Sequence, residues 1–181
     1  IQTVNDEILK SFYKIDSGAE LDYQRERFCD LLKGFENTFG DSKEGHELGI
    51  FSSPGRTEIC GNHTDHQNGQ VLAAAINLDT IAATRINNEG VIRIQSEGYP
   101  PIRIDLNDID TPKEEEKGRT RALVKGVLKY LKNSGYSINE GFDAYIMSDV
   151  DPGSGLSSSA SFEVLIGTII SGLFFDGAIS K

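Results

Sequence analysis

Tryptophan is absent from this chain of 181 residues, methionine occurs once, cysteine twice and histidine three times. Two cysteines, Cys29 and Cys60, are too few for a disulfide framework; the expectation is a reduced, cytoplasmic protein held together by its core. Basic residues are scarce. Lys and Arg number 18 against 28 Asp and Glu, a net charge of −10, which argues against a nucleic-acid or an anionic-membrane partner. No apolar run is long enough to span a membrane; the longest, 164–175, is broken by Gly167, Thr168, Ser171 and Gly172. Low-complexity tracts, internal repeats and a signal peptide are missing. An initiator methionine is missing too, and the chain stops at FFDGAISK just after an apolar helix, so the reading is a piece of something longer.

What is present is an ordinary globular composition, 38% apolar and 25% charged, in a chain long enough for one domain with a real core. Residues 21–39 carry Phe28, Leu31, Leu32, Phe35 and Phe39 at helical spacing, stopped by Gly40. Short apolar runs follow at 48–51, 71–76, 80–86, 91–95 and 102–106. Those from Thr80 onward are separated by the turn signals NNEG and GYPP and read as an antiparallel set. Residues 111–118, TPKEEEKG, read as a solvated charged stretch. A second amphipathic helix spans about 120–132, with Leu123, Val124, Val127, Leu128 and Leu131 as its apolar stripe, closed by NSG. A strand at 142–147, a loop and an apolar helix to 175 complete the chain. Helices and strands mix without a regular βαβ rhythm, which favours an α+β fold.

Chemistry-bearing residues gather at 53–76, SPGRTEICGNHTDHQNGQVLAAAI, which holds two of the three histidines, His63 and His66, beside Arg56, Glu58, Asn62, Asp65 and Gln67. The third, His46, sits in the polar loop DSKEGHE and reads as solvent-exposed. Cys60, His63 and His66 are spaced as metal ligands could be. A closed structural zinc site takes four protein ligands, however, and no second Cys or His pair exists. The two cysteines read most simply as small buried apolar residues. From spacing alone Arg56 is an ion-pair partner for Glu58 or Asp65.

The second concentration is DPGSGLSSSAS, 151–161, between a strand and a helix. Gly153 and Gly155 suit close backbone approach to a ligand, and Ser157, Ser158 and Ser159 open a helix whose free N–H groups favour an anion. An ordinary glycine turn with a serine N-cap is the plain alternative, but three consecutive serines exceed what one cap needs. No Lys follows as in a Walker A loop, no second strand precedes Asp176 as a dinucleotide fingerprint requires, and the hydrolase elbow is absent. By elimination this is a nucleotide loop of another kind.

Together the two stretches resemble the GHMP small-molecule kinases, and among them the galactokinases. That family has a helix ending in Phe-Gly, then Pro-Gly-Arg-Val-Asn-Leu-Ile-Gly-Glu-His-Thr-Asp-Tyr. Here FENTFG precedes PGRTEICGNHTDHQNGQVL. Its second motif, Gly-Gly-Gly-Leu-Ser-Ser-Ser-Ala, appears as GSGLSSSAS, and LVKGVLKYL between them looks like the family's helix. The resemblance implies a domain over 1–181, the amino-terminal half of a GHMP-type kinase (ribosomal-protein-S5-like). Its mixed β-sheet would have helices packed on one side, a sugar-binding motif at 54–72 and a phosphate loop at 151–161. It further implies ATP-dependent phosphorylation of galactose at its anomeric hydroxyl. Gly153, Ser154, Gly155, Leu156, Ser157, Ser158 and Ser159 would hold the triphosphate, with Ser159 contacting Mg²⁺. Arg56 would sit near the transferred phosphoryl group, and Asn62, His63 and Asp65 at the sugar. The aspartate serving as base, and a second acidic metal ligand, would belong to the chain's own carboxy-terminal domain, leaving this piece inactive alone. Two departures stand out. Asn62 occupies the family's Glu position, which leaves open a kinase for another sugar. Thr120 and Leu123 occupy the positions of the aromatic pair that packs on adenine. A non-catalytic sensor of the same fold is the other alternative.

Overall fold

A computed structural model describes residues 5–16, 18–40, 47–61, 69–110, 116 and 118–179. The elements run α1 (Asp6–Tyr13), α2 (Ala19–Phe39), β1 (Gly49–Cys60), β2 (Leu72–Ile86), β3 (Val91–Ser96), β4 (Ile102–Asp105), α3 (Thr120–Asn133), β5 (Phe142–Ser148) and α4 (Ser158–Phe174). The five strands form one sheet in the order β1-β2-β5-β3-β4.

The α+β reading and the mixed sheet hold, and three details differ from the sequence expectation. β5 inserts between β2 and β3, so the strands after Thr80 are not one antiparallel set: β2 and β5 are antiparallel, whereas β3 and β5 are parallel. The crossover through α3 makes this arrangement, since parallel neighbours need a long connection. The runs at 71–76 and 80–86 are one bent strand; Pro54 pairs with Asp79 but Arg56 with Ala75, a bulge that re-aims β1 and β2 past that point.

Helices also cover both faces rather than one. On one face Ala82, Ile92, Ile94, Ile104, Phe142, Ala144 and Ile146 pack with Val124, Leu128 and Leu131 of α3 and Leu165, Ile166, Ile169 and Ile170 of α4. On the other, Ile81 and Ala83 pack with Phe28, Leu31, Leu32 and Phe35 of α2 and Leu9 and Tyr13 of α1. Alternation along β2 explains this: adjacent residues Ile81, Ala82 and Ala83 are all fully buried, which a strand achieves only when both faces are covered. The sequence reading passed over α1. Its Asn5 cap, accepting from Glu7 N–H at 2.9 Å, and its Leu9 and Tyr13 four apart are the signals that were there.

Glu116 is not solvated like the rest of its charged stretch was expected to be; it is buried and lies 3.0 Å from Lys125, itself buried on α3. Residues 111–115 and 117 lie outside the described residues. No described helix is long and apolar enough to cross a membrane.

Candidate functional site

The site is assembled where the bulge in β1 meets the loop before α4. Gly55 is buried beneath that loop; a Cβ there would stand 3.1 Å from both Ile76 Cδ1 and Val150 Cγ2 and 3.2 Å from the Leu156 carbonyl oxygen. The next residue's main chain makes the join: Arg56 N–H donates to Leu156 O at 3.0 Å. A second tie lies alongside, where the Ser161 hydroxyl in the first turn of α4 donates to Ser53 O at 2.9 Å and lies 3.0 Å from Thr80 Oγ1. Two motifs distant in sequence are thereby held edge to edge.

Within the loop Gly153 and Gly155 adopt φ of 80° and 78°, which an L side chain rarely takes. Ser157 does so as well, at φ 62°, and it sits at the N-cap of α4 with no side-chain cap hydrogen bond. The ordinary serine cap is therefore not what this loop builds. The first-turn N–H groups of α4 have no intrahelical acceptor and no side-chain cap, and a strained residue marks the entry. Ser154 is exposed, its hydroxyl donating to Asp151 O at 2.6 Å. Ser159 is exposed and Ser157 and Ser158 are half-buried.

Arg56 is 47% exposed at its side chain, and its guanidinium reaches Glu58 Oε1 only at 3.5 Å. Glu58 Oε2 is buried with no hydrogen-bond partner among the described residues. So loose a contact leaves the Arg56 cation largely available on the loop side of β1. Asn62, His63 and Asp65, and also His66 and His46, lie outside the described residues. Cys60, just before Gly61, pairs with Leu72 at the start of β2. Gly61 itself has φ 89°, and a Cβ there would fall 2.3 Å from the Gln70 carbonyl oxygen, so no other residue fits at this position.

Among the described residues no group of three or more His, Cys, Asp or Glu could hold a metal ion. Contrary to the buried reading, Cys60 is exposed at the end of β1, beyond the bulge, and Cys29 is half-buried on α2. For Mg²⁺ carried with a nucleotide, the exposed Ser159 hydroxyl at the open helix start is a hard oxygen donor of the type that ion takes.

Sequence reasoning missed two sets of residues. The first is a buried polar cluster beneath the loop. Arg27 of α2 donates to Asp79 Oδ1 at 2.6 Å and to Asp79 O at 2.8 Å, and its Nε lies 3.2 Å from Asp149 Oδ2 without hydrogen-bond alignment. The hydroxyls of Tyr13 and Ser52 donate to Asp79 Oδ2, and Asp149 N–H donates to Asp79 O at 3.0 Å. Burial, then the Asp79 carboxylate, pushes the Tyr13 phenol well above its usual range. Arg27 is held above its usual value despite burial, because Asp79 and Asp149 favour its charge. Asp149 stands two residues before the loop, so the cluster fixes the loop's starting point. The second set lines a cleft of about 630 Å³ running from Pro152, Ser158 and Ser159 to the β3–β4 turn. Glu97, Tyr99, Pro100, Pro101 and Arg119 belong to this set, and Thr120 and Leu123, which the sequence had already singled out, line the same cleft.

Residues 33–86 match the galactokinase galactose-binding signature and residues 122–181 the GHMP kinases N terminal domain. The chain is 35% identical over 144 residues to a galactokinase of Lactococcus lactis subsp. lactis, covering 80% of this chain and 35% of that protein. It is 37% identical over 145 residues to one of Streptococcus mutans, covering 80% and 36%. The chain thus spans little more than a third of the length of the relatives it matches. The crystal structure of Lactococcus lactis galactokinase complexed with galactose superposes with a TM-score of 0.72 at 35% identity, over 81% of this chain and 37% of that one. The Methanococcus jannaschii mevalonate kinase shares the fold, with a TM-score of 0.61 at 21% identity, over 77% of this chain and 43% of that one. With both motif regions matched, and joined in space as the β1–loop contact joins them, the chain resembles the GHMP kinases, and among them the galactokinases.

Proposed function

We propose that the protein containing this chain transfers the γ-phosphoryl group of ATP to the anomeric hydroxyl of galactose, giving galactose 1-phosphate. The observation that carries this is the Arg56–Leu156 main-chain bond, which sets the Pro-Gly-Arg motif against the glycine-serine loop, whose flanking Pro152, Ser158 and Ser159 line the cleft. In this reading the loop 153–159 binds the triphosphate through its N–H groups and the Ser157 and Ser158 hydroxyls, while α4 directs its positive end at the charge. Ser159 contributes an oxygen to Mg²⁺, which when bound neutralises phosphate charge. Arg56 stabilises the charge that develops on the transferred group, a task suited to a cation held by strand and loop together. Asn62, His63 and Asp65 bind sugar hydroxyls; a carboxylate at 65 accepts two O–H donors, and a misplaced hydroxyl would strand one.

The base aspartate and a further acidic metal ligand come from the remainder of the protein, which closes over the cleft as a carboxy-terminal domain. In support, Ile59, Val71, Leu72 and Leu78 stand exposed on the β1–β2 extension, an apolar surface of the kind a second domain covers. The chain alone is accordingly inactive, and it acts as the amino-terminal domain over 1–181. Asn62, where the family has Glu, supports a second reading, a GHMP kinase for a different sugar. The test is product identification with the full-length protein, Mg-ATP and galactose, by phosphorus NMR. An anomeric phosphate ester is expected, and an ester at the primary hydroxyl or free phosphate alone would refute the assignment.

A further inference from the structure

The ladder between β1 and β2 is interrupted twice. Register shifts fall between Pro54 and Arg56 and again between Glu58 and Cys60. In the interval Arg56, Thr57 and Glu58 pair with Ala75, Ala74 and Ala73. Arg56 and Glu58, two apart on a strand, share one face. Their partners across the ladder, Ala75 and Ala73, carry a single methyl each, so β2 adds little bulk beside the two charges. Bulges on both sides of so short a stretch aim its side chains independently of the rest of the strand.

Nothing in the packing calls for a charge at Glu58. Its side chain is only 19% exposed, and Oε2 is buried with no hydrogen-bond partner among the described residues. A carboxylate oxygen buried without a donor costs stability, so the fold gains nothing from it. The motif this stretch resembles, Pro-Gly-Arg-Val-Asn, has a neutral Asn where PGRTE has Glu58, so the charge is a feature of this chain. Glu58 is also the one side chain among the described residues that pairs with the Arg56 guanidinium, Oε1 standing 3.5 Å from Nη2. A long side chain that is 47% exposed samples many rotamers unless something directs it, whereas phosphoryl transfer needs its cation in one place. A carboxylate on the same short ladder supplies that direction. At 3.5 Å it does not saturate the guanidinium, whose other N–H donors stay available.

We infer that Glu58 is a positioning residue for Arg56: its carboxylate holds the guanidinium beside the loop 153–159 and leaves the remaining donors to the transferred phosphoryl group. This rests on the reading of Arg56 given above and adds to it the residue that aims the cation. The experiment is a double-mutant cycle on the full-length protein. It measures kcat, the KM values for galactose and Mg-ATP, and Tm for wild type, Glu58→Gln, Arg56→Ala and the double variant. Glu58→Gln keeps the shape and removes the charge. It is expected to lower kcat about tenfold with both KM values unchanged and Tm not lowered, and to change kcat by less than about twofold where Arg56 is already alanine. An unchanged or higher kcat for Glu58→Gln overturns the inference. A loss of the same size in both backgrounds also overturns it, since Glu58 then acts without Arg56. So does a loss confined to KM for galactose, which makes Glu58 a sugar contact. An Arg56→Ala protein with wild-type kcat overturns the reading of Arg56 itself, and the inference falls with it.

Discussion

Removing the Asp79 carboxylate from beneath the loop that precedes α4 should unfold the domain more readily than any surface change, and the geometry gives the size. Arg27 and Asp79 have side chains only 3% and 5% exposed at 2.6 Å separation. In Asp79→Leu the buried guanidinium keeps the main-chain carbonyl of residue 79 and Gln24 Oε1 as neutral acceptors, but its one remaining counter-charge is Asp149, whose carboxylate is 20% exposed, and the hydroxyls of Tyr13 and Ser52 lose their acceptor. An uncompensated buried charge costs about 3–5 kcal/mol, which for a domain of this size lowers Tm by roughly 6–20 °C. Arg27→Met should cost less, because the two hydroxyls still donate to Asp79. The double variant Arg27→Met/Asp79→Leu removes both charges, and it should be more stable than the sum of the singles predicts by about 1–3 kcal/mol. Thermal and urea denaturation of the four proteins, followed by circular dichroism, measures this cycle. Singles that add within about 0.5 kcal/mol, or an Asp79→Leu protein with unchanged Tm, would refute the reasoning. ATP affinity should fall in the single variants as well, since Asp79 O holds the Asp149 amide just before the loop.

Ser157→Gly relieves a φ of 62° and forfeits no cap bond, so stability should rise by up to about 1 kcal/mol while ATP binding weakens if the hydroxyl touches phosphate; a destabilised variant would contradict the strain. Gly126→Ala in the exposed interior of α3 meets nothing within 4 Å and should stabilise by about 0.8–1 kcal/mol, seen as a higher urea midpoint at equal slope. Tyr13 has its pKa raised in the fold, so its contribution is complete below the unfolded value of about 10 and is lost as pH rises through and beyond it. Tyr13→Phe should accordingly be less stable than wild type near neutrality, with the gap closing above pH 10; a gap constant from pH 7 to 11 would exclude Tyr13 as the titrating group.

Helices α2 and α3 were legible in the sequence because one-sided burial writes a helical period, as Phe28, Leu31, Leu32 and Phe35 facing one core show, and α4 was legible as a long apolar run. The two functional segments were legible because glycine, serine and charge recur there at spacings that packing does not require. Strand order was not. β5, Phe142–Ser148, reads as a short apolar run whether it sits at an edge or in the middle, and its position depends on the α3 crossover. The second helical layer escaped for a related reason. Ile81, Ala82 and Ala83 show a continuous apolar strand, which carries no sign of what covers each face. Polar residues used structurally were the least visible. Asp79 and Asp149 look like solvated acids until the fold brings Arg27 between them.

The measurement that bears most directly on the account is ADP release by the full-length protein with Mg-ATP, run with galactose, N-acetylgalactosamine, glucose, arabinose and no sugar. The account predicts ADP formation that depends on galactose. Release with a different sugar alone would contradict the galactose assignment and attach the specificity to Asn62, and no release with any sugar while ATP still binds would contradict the kinase itself.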